Sequence, residues 1–151
     1  MKRMLAAAAL TVVAAFGAAA PVIAADMTYE EAIADVEATL GFVPTFMKEM
    51  PRAGFAGAWL QLKGLELAGD TALSAKVKTL IELAVVSQIP CEYCIWADTE
   101  AAKAAGATDE EIAEAIAVAA TGRFWSTMLN GRQTDFETFK AEFKRLLGAE
   151  Q

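Results

Sequence analysis

Apolar residues recur along this chain at intervals of three and four, the spacing that lays one stripe along a helix. No stretch alternates with the period of two that marks a strand. Each stripe is bounded by helix punctuation. Thr28-Tyr29-Glu30-Glu31 reads as a capping box that opens a helix to about Leu40, ended by Gly41. Residues 42–47 form an apolar connector in which Pro44 can open a short helix. Pro51 opens the next helix, with Phe55, Trp59, Leu62 and Leu65 at helical spacing toward Gly69-Asp70. Gly54, Gly57 and Gly64 weaken that helix, so close packing against a neighbour is expected there. Ser74 caps a helix carrying Val77, Leu80, Ile81, Ala84 and Val85 as far as Ile89. Pro90 interrupts it, and the chain continues helically from Cys91 to Gly106. A second capping box, Thr108 to Glu111, starts a helix with Ile112, Ala115, Ile116, Ala119 and Ala120 facing inward. Residues 122–126 fall near its end, and Leu129-Asn130-Gly131 marks a break. A third box, Thr134 to Glu137, opens a last helix with Phe136, Phe139, Phe143 and Leu146-Leu147 on one side. The expected fold class is all-α, and 151 residues suit one domain.

The first residues read differently. Lys2 and Arg3 precede an uncharged run, Met4 to Ala20, and Pro21-Val22-Ile23-Ala24 offers small residues for cleavage. This three-part pattern predicts a secretory signal over residues 1–24 and a mature domain over residues 25–151. The run is alanine-rich and shorter than the roughly 20 strongly apolar residues of a membrane-spanning helix, so no membrane attachment is expected after cleavage. Export, most simply to a bacterial periplasm, places the cysteines where disulfides persist.

Charge and composition remove several functions. The formal net charge is −7, and without Lys2 and Arg3 the chain keeps 11 basic and 20 acidic residues, a net charge of −9. A nucleic-acid surface needs clustered Lys and Arg, so no nucleic-acid partner is expected. The chain contains no histidine, which is both the usual acid/base near neutral pH and the commonest metal ligand. The two cysteines alone do not complete a zinc site, and no metal or other cofactor is expected.

The candidate chemistry lies in Cys91-Glu92-Tyr93-Cys94, which holds both cysteines in a C-x-x-C spacing. On a helix, residues three apart are neighbours, so the pair can close a disulfide or stand as a dithiol. Such a pair can exchange electrons or act as a static staple. A staple closing so short a loop adds little by chain entropy, and the spacing favours redox chemistry. A helix start just after Pro90 stabilises a thiolate there, favouring the cysteine nearer that start. Asp98 follows Cys94 by four residues, on the same face, where it can collect a thiol proton; as a fixed charge it raises the thiol pKa instead. Asp98 can equally be a solvated residue that pairs with Lys103. Tyr93, Trp96, Phe124 and Trp125 read as core or subunit interface rather than as pocket lining.

The stretch from Lys76 to Val85, the C-x-x-C pair, and the run Ala101 to Ile112, with its Gly106-Ala107-Thr108-x-Glu110-Glu111-Ile112, resemble the AhpD-like branch of the carboxymuconolactone decarboxylase family. The resemblance spans about residues 74–131. It implies an all-helical bundle assembled as a homo-oligomer, a trimer or hexamer. It also implies a thiol-dependent peroxidase that reduces a small hydroperoxide at the expense of a thiol reductant. By resemblance Cys94 attacks the peroxide and Cys91 resolves. The pattern departs from the family where a glutamate twelve residues before the first cysteine is replaced by Thr79, and a histidine four residues after the second by Asp98. The family subgroup's Arg-His-Trp-Ser is Arg123-Phe124-Trp125-Ser126 here. Glu82, one turn from Thr79, stands near the face of the missing glutamate, so Glu82 and Asp98 join the cysteines as candidate site residues. The rivals are a thiol–disulfide oxidoreductase and a non-catalytic helical binding or assembly module with a structural disulfide.

Overall fold

The computed structural model describes residues 27–89 and 91–148. The expected signal segment and the interruption at Pro90 fall outside the described residues. Every described element is helical, and the chain divides into two compact units after Leu60.

In the first unit, α1 (Tyr29–Leu40) begins with the expected capping box. Thr28 Oγ1 accepts the Glu31 N–H at 3.2 Å, and the Glu31 carboxylate accepts the Thr28 N–H at 2.7 Å. Gly41 ends the helix at φ 81°, a conformation in which a side chain would be strained. Pro44 leads into the single turn α2 (Thr45–Lys48), and α3 spans Arg52–Gln61. Ala32, Val36, Met47, Phe55 and Trp59 are buried. The indole of Trp59 donates to Asp35 Oδ2 at 2.7 Å, so its buried N–H is satisfied.

The chain leaves α3 through a π-helical turn, Leu62–Leu67, instead of continuing as the α-helix that the spacing of Leu62 and Leu65 predicts. Lys78, only 7% exposed, donates to Leu65 O at 2.6 Å and Ala68 O at 2.7 Å, holding the carbonyls at the end of that turn. A π-helical turn leaves carbonyls without their usual helical donors, and the buried ammonium supplies the substitute. The expected close packing at Gly54, Gly57 and Gly64 is not found. A Cβ at any of them would meet nothing within 4 Å.

The rest of the second unit is α4 (Ala75–Val86), α5 (Glu92–Ala104), α6 (Asp109–Gly131) and α7 (Phe136–Leu146). Ser74 caps α4, and Thr108 and Glu111 cap α6 reciprocally. Lys76 ties the starts of these two helices together by donating to both Glu111 carboxylate oxygens. Leu83, Ala102 and Ile112, one from each of α4, α5 and α6, form the buried centre, with Leu80, Val86, Ile95 and Ala107 packed on it. Three expectations change here. Helix α6 runs unbroken through Gly122 to Gly131, because a helix tolerates one exposed glycine at about 1 kcal/mol. Of its expected inward set only Ile112 is in the core, while Ile116 and Ala120 are exposed. Helix α7 is capped by Asp135, which accepts the Thr138 N–H at 2.8 Å, so the box expected from Thr134 to Glu137 does not form and a simple side-chain cap one residue later takes its place.

Candidate functional site

The site is built at the start of α5. Cys91 and Cys94 are joined as a disulfide, with Cα atoms 5.4 Å apart. Cys91 is the N-cap of α5, and its Sγ accepts the Cys94 N–H at 3.3 Å. A thiolate at this position would receive that same N–H and the positive end of the helix dipole, so the fold favours Cys91 as the anionic sulfur. Cys94 lies in the first turn and is, like Cys91, partly buried.

Asp98 lies one turn beyond Cys94, about 6 Å along the helix axis. Partial burial pushes its carboxyl above the ordinary aspartate range. Lys103 pairs with Glu100 rather than with Asp98. Across the packing of α4 on α5, the Asp98 charge acts on Glu82. The Glu82 carboxyl is pushed up to about 7, first by burial, then by the charges of Glu66 and Asp98 and by a hydrogen bond to Glu66. Glu66 is on the π-helical turn, and with Glu82 and Lys78 it lines a recess of about 390 Å³. Near neutral pH, Glu82 is therefore poised to give or take a proton.

Cys91, Cys94, Asp98 and Glu82, the residues expected from the sequence, thus all belong to the packed α4–α5 pair. Sequence reasoning missed Glu66, because only the tertiary position of the π-helical turn brings it to Glu82. Thr79, at the position of the family's glutamate, returns its hydroxyl to Ala75 O and Lys76 O and is no relay group. Tyr93 and Trp96 are 81% and 71% exposed beside the disulfide, and Phe124 and Trp125 are exposed on α6, so none of the four is core in the chain.

The raised Glu82 carboxyl has a consequence for stability. Between pH 4.5 and about 7 the folded chain holds a proton at Glu82 that the unfolded chain has released. Stability is therefore fully present below that window, falls as pH rises through it, and levels off above. Solvent screens much of the effect at this partly exposed group, leaving about 1 kcal/mol. Glu82→Gln should remove this part of the slope, read as the difference between variant and wild type in urea titrations at pH 4.5 and 8.

A family model for the carboxymuconolactone decarboxylase family matches residues 53–133, from α3 through α6. The chain belongs to this family. Within it, the crystal structure of the alkylhydroperoxidase AhpD core from Rhodospirillum rubrum is similar, with a TM-score of 0.62 and 28% sequence identity. That likeness covers 74% of this chain and 85% of the other, and the all-α fold is that of the AhpD core. A relative from Paracoccus denitrificans, "Uncharacterized protein 4 in cox locus", is 42% identical over 77 residues, 50% of this chain and 68% of that protein. The chain thus keeps the family's helices, with Asp98 where the resemblance leads one to expect a relay histidine and Thr79 where it leads one to expect a glutamate.

Proposed function

We propose that this chain is a thiol-dependent peroxidase acting outside the cytoplasm, with Cys94 as nucleophile and Cys91 as resolving thiol. The observation that carries the proposal is the position of Cys91 as the N-cap of α5, its sulfur accepting the Cys94 N–H. In the reduced protein, Asp98 takes the Cys94 proton. The Cys94 thiolate attacks one peroxide oxygen; the S–O bond forms as the O–O bond breaks, and the departing alkoxide takes a proton from Glu82 to leave as an alcohol. Cys94 is now a sulfenic acid. The Cys91 thiolate attacks its sulfur, the disulfide forms, and hydroxide leaves as water with the proton held at Asp98. A dithiol reductant then attacks Cys94, because Cys91 is the better-stabilised leaving thiolate, and its second thiol completes the reduction. Each turn oxidises one dithiol and reduces one hydroperoxide, and it returns Glu82 and Asp98 to their starting protonation once the released protons re-equilibrate.

The test is hydroperoxide consumption by the mature protein with a small dithiol as reductant. Catalytic consumption, with one disulfide formed in the reductant per peroxide, is the expected result. A disulfide with a potential below about −300 mV that resists the dithiol would instead make the pair a staple. A second reading, exchange with the thiols of another protein, is favoured by the exposed Tyr93 and Trp96 beside the disulfide. It predicts oxidation of a reduced, unfolded protein at a rate that Trp96→Ala lowers, while peroxide turnover stays unchanged.

A further inference from the structure

The recess beside Glu82 brings together three pieces of chain. Leu65 and Glu66 come from the π-helical turn, Leu73 from the loop after it, and Lys78, Ile81 and Glu82 from α4. Leu65, Leu73 and Ile81 make its walls largely apolar, and Glu66, Glu82 and Lys78 are the charged groups that line it. An apolar surround strengthens any hydrogen bond between such groups.

Glu66 reaches this recess because of Lys78. The buried Lys78 ammonium donates to Leu65 O and to Ala68 O, so it grips the backbone on both sides of Glu66. A π-helical turn also sets residue 66 at a different angle about the axis than a continued α-helix would. The result is a hydrogen bond between Glu66 and Glu82. Two carboxyl groups need one proton to form such a bond. Burial and the charges of Glu66 and Asp98 all favour the neutral form of Glu82, so the proton is held there. The Lys78 charge opposes this, with the smallest effect of those that act on Glu82. The charged groups that α6 turns toward α4, Glu111, Glu114 and Arg123, line an open groove of about 700 Å³ on another side of α4, to which Glu82 does not contribute.

We propose that Glu66 is the positioning residue of the proton donor: tied in place by Lys78, its carboxylate accepts the Glu82 O–H and keeps that proton ready for the departing alkoxide. This role rests on Glu82 being that donor. Once Glu82 has given its proton away, two carboxylates stand side by side, and their repulsion favours taking a proton back from solvent through the open recess. Glu66 itself does not touch the peroxide.

The pH titration of the Glu82 carboxyl tests this in the oxidised chain, where no turnover is needed. Its side-chain carbon-13 signal is the one that Glu82→Gln removes. In the wild type it should titrate near pH 7. Glu66→Gln keeps an oxygen to accept the hydrogen bond but removes the charge, and it should lower that midpoint by at least about 0.5 pH unit. Glu66 is exposed, so this variant should keep the helical circular dichroism of the wild type. Lys78→Met adds a test of sign. Loss of the lysine charge alone would raise the Glu82 midpoint, whereas loss of the tie that holds Glu66 lowers it. Glu66 has the larger effect, so the net change should be downward. An unchanged midpoint in Glu66→Gln would overturn the role of Glu66, and an upward change in folded Lys78→Met would overturn the role of the tie. Peroxide turnover gives the second readout. Above pH 8, Glu66→Gln should consume peroxide at least about threefold more slowly than the wild type, the factor that a 0.5-unit shift in the donor implies, and below pH 6 equally fast. A midpoint that moves while the rates stay equal would show that Glu82 is not the donor, and would overturn the link to the reaction alone.

Discussion

Cys94→Ser should lower peroxide-dependent oxidation of a dithiol by at least about a thousandfold, to the uncatalysed background. The attacking sulfur is the one group for which serine, a far weaker nucleophile at neutral pH, cannot substitute. Cys91→Ser should behave differently. Its Cys94 can still attack, so one equivalent of peroxide is consumed in a burst, after which the sulfenic acid waits for an external thiol. A sulfenic-acid trap should therefore label Cys91→Ser and leave Cys94→Ser unlabelled. The N-cap geometry gives this assignment a physical edge that can fail. The hydrogen bond from the Cys94 N–H stabilises an anion on Cys91, so Cys91 is favoured as leaving and resolving thiolate. The nucleophile must be deprotonated in some other way, and the proposed mechanism gives that task to Asp98, one turn on along the same helix. If the burst belongs to Cys94→Ser instead, the helix dipole selects the nucleophile itself and Asp98 has no part in activating it.

Much of this was legible in the sequence, wherever the deciding interaction is local. Thr28 with Glu31, Thr108 with Glu111, Ser74 and Gly41 all cap as read, because each cap is closed within four residues. The start of α7 was read one residue early because Thr134 and Asp135 are adjacent and both are good caps. The cysteine pair and its carboxylate followed from spacing along a single helix. The π-helical turn did not, since its carbonyls are held by Lys78 from another element. Glu66 was hidden for the same reason: its meeting with Glu82 depends on that turn and on no periodicity. Periodicity also reveals that a helix has an apolar face without telling what covers it. Val77, Ile81 and Val85 have the same spacing as a core stripe, yet they line the open groove.

Leu83→Ala should destabilise the chain by about 3 to 4 kcal/mol, the range for truncating a leucine in a packed interior. Leu83 is 0% exposed and stands where α4, α5 and α6 converge, against Ala102 and Ile112. Its neighbours Ile95 and Val86 hold the start of α5 against the end of α4, so the same cavity should loosen the turn that carries Cys94. The urea midpoint should fall by about 2 M for a chain of this size. Val85→Ala, two residues away, is the informative contrast. Two positions along a helix turn the side chain to the other side, from the core to the groove, and in the isolated chain that substitution should cost within about 0.5 kcal/mol. The urea midpoint then separates the two faces of α4. The loss from Leu83→Ala should appear as a midpoint lowered by about 2 M, whereas Val85→Ala should leave the midpoint within about 0.3 M of the wild type. Equal losses from both would mean that the groove face of α4 is packed in solution as the core face is, and that α4 has no open side.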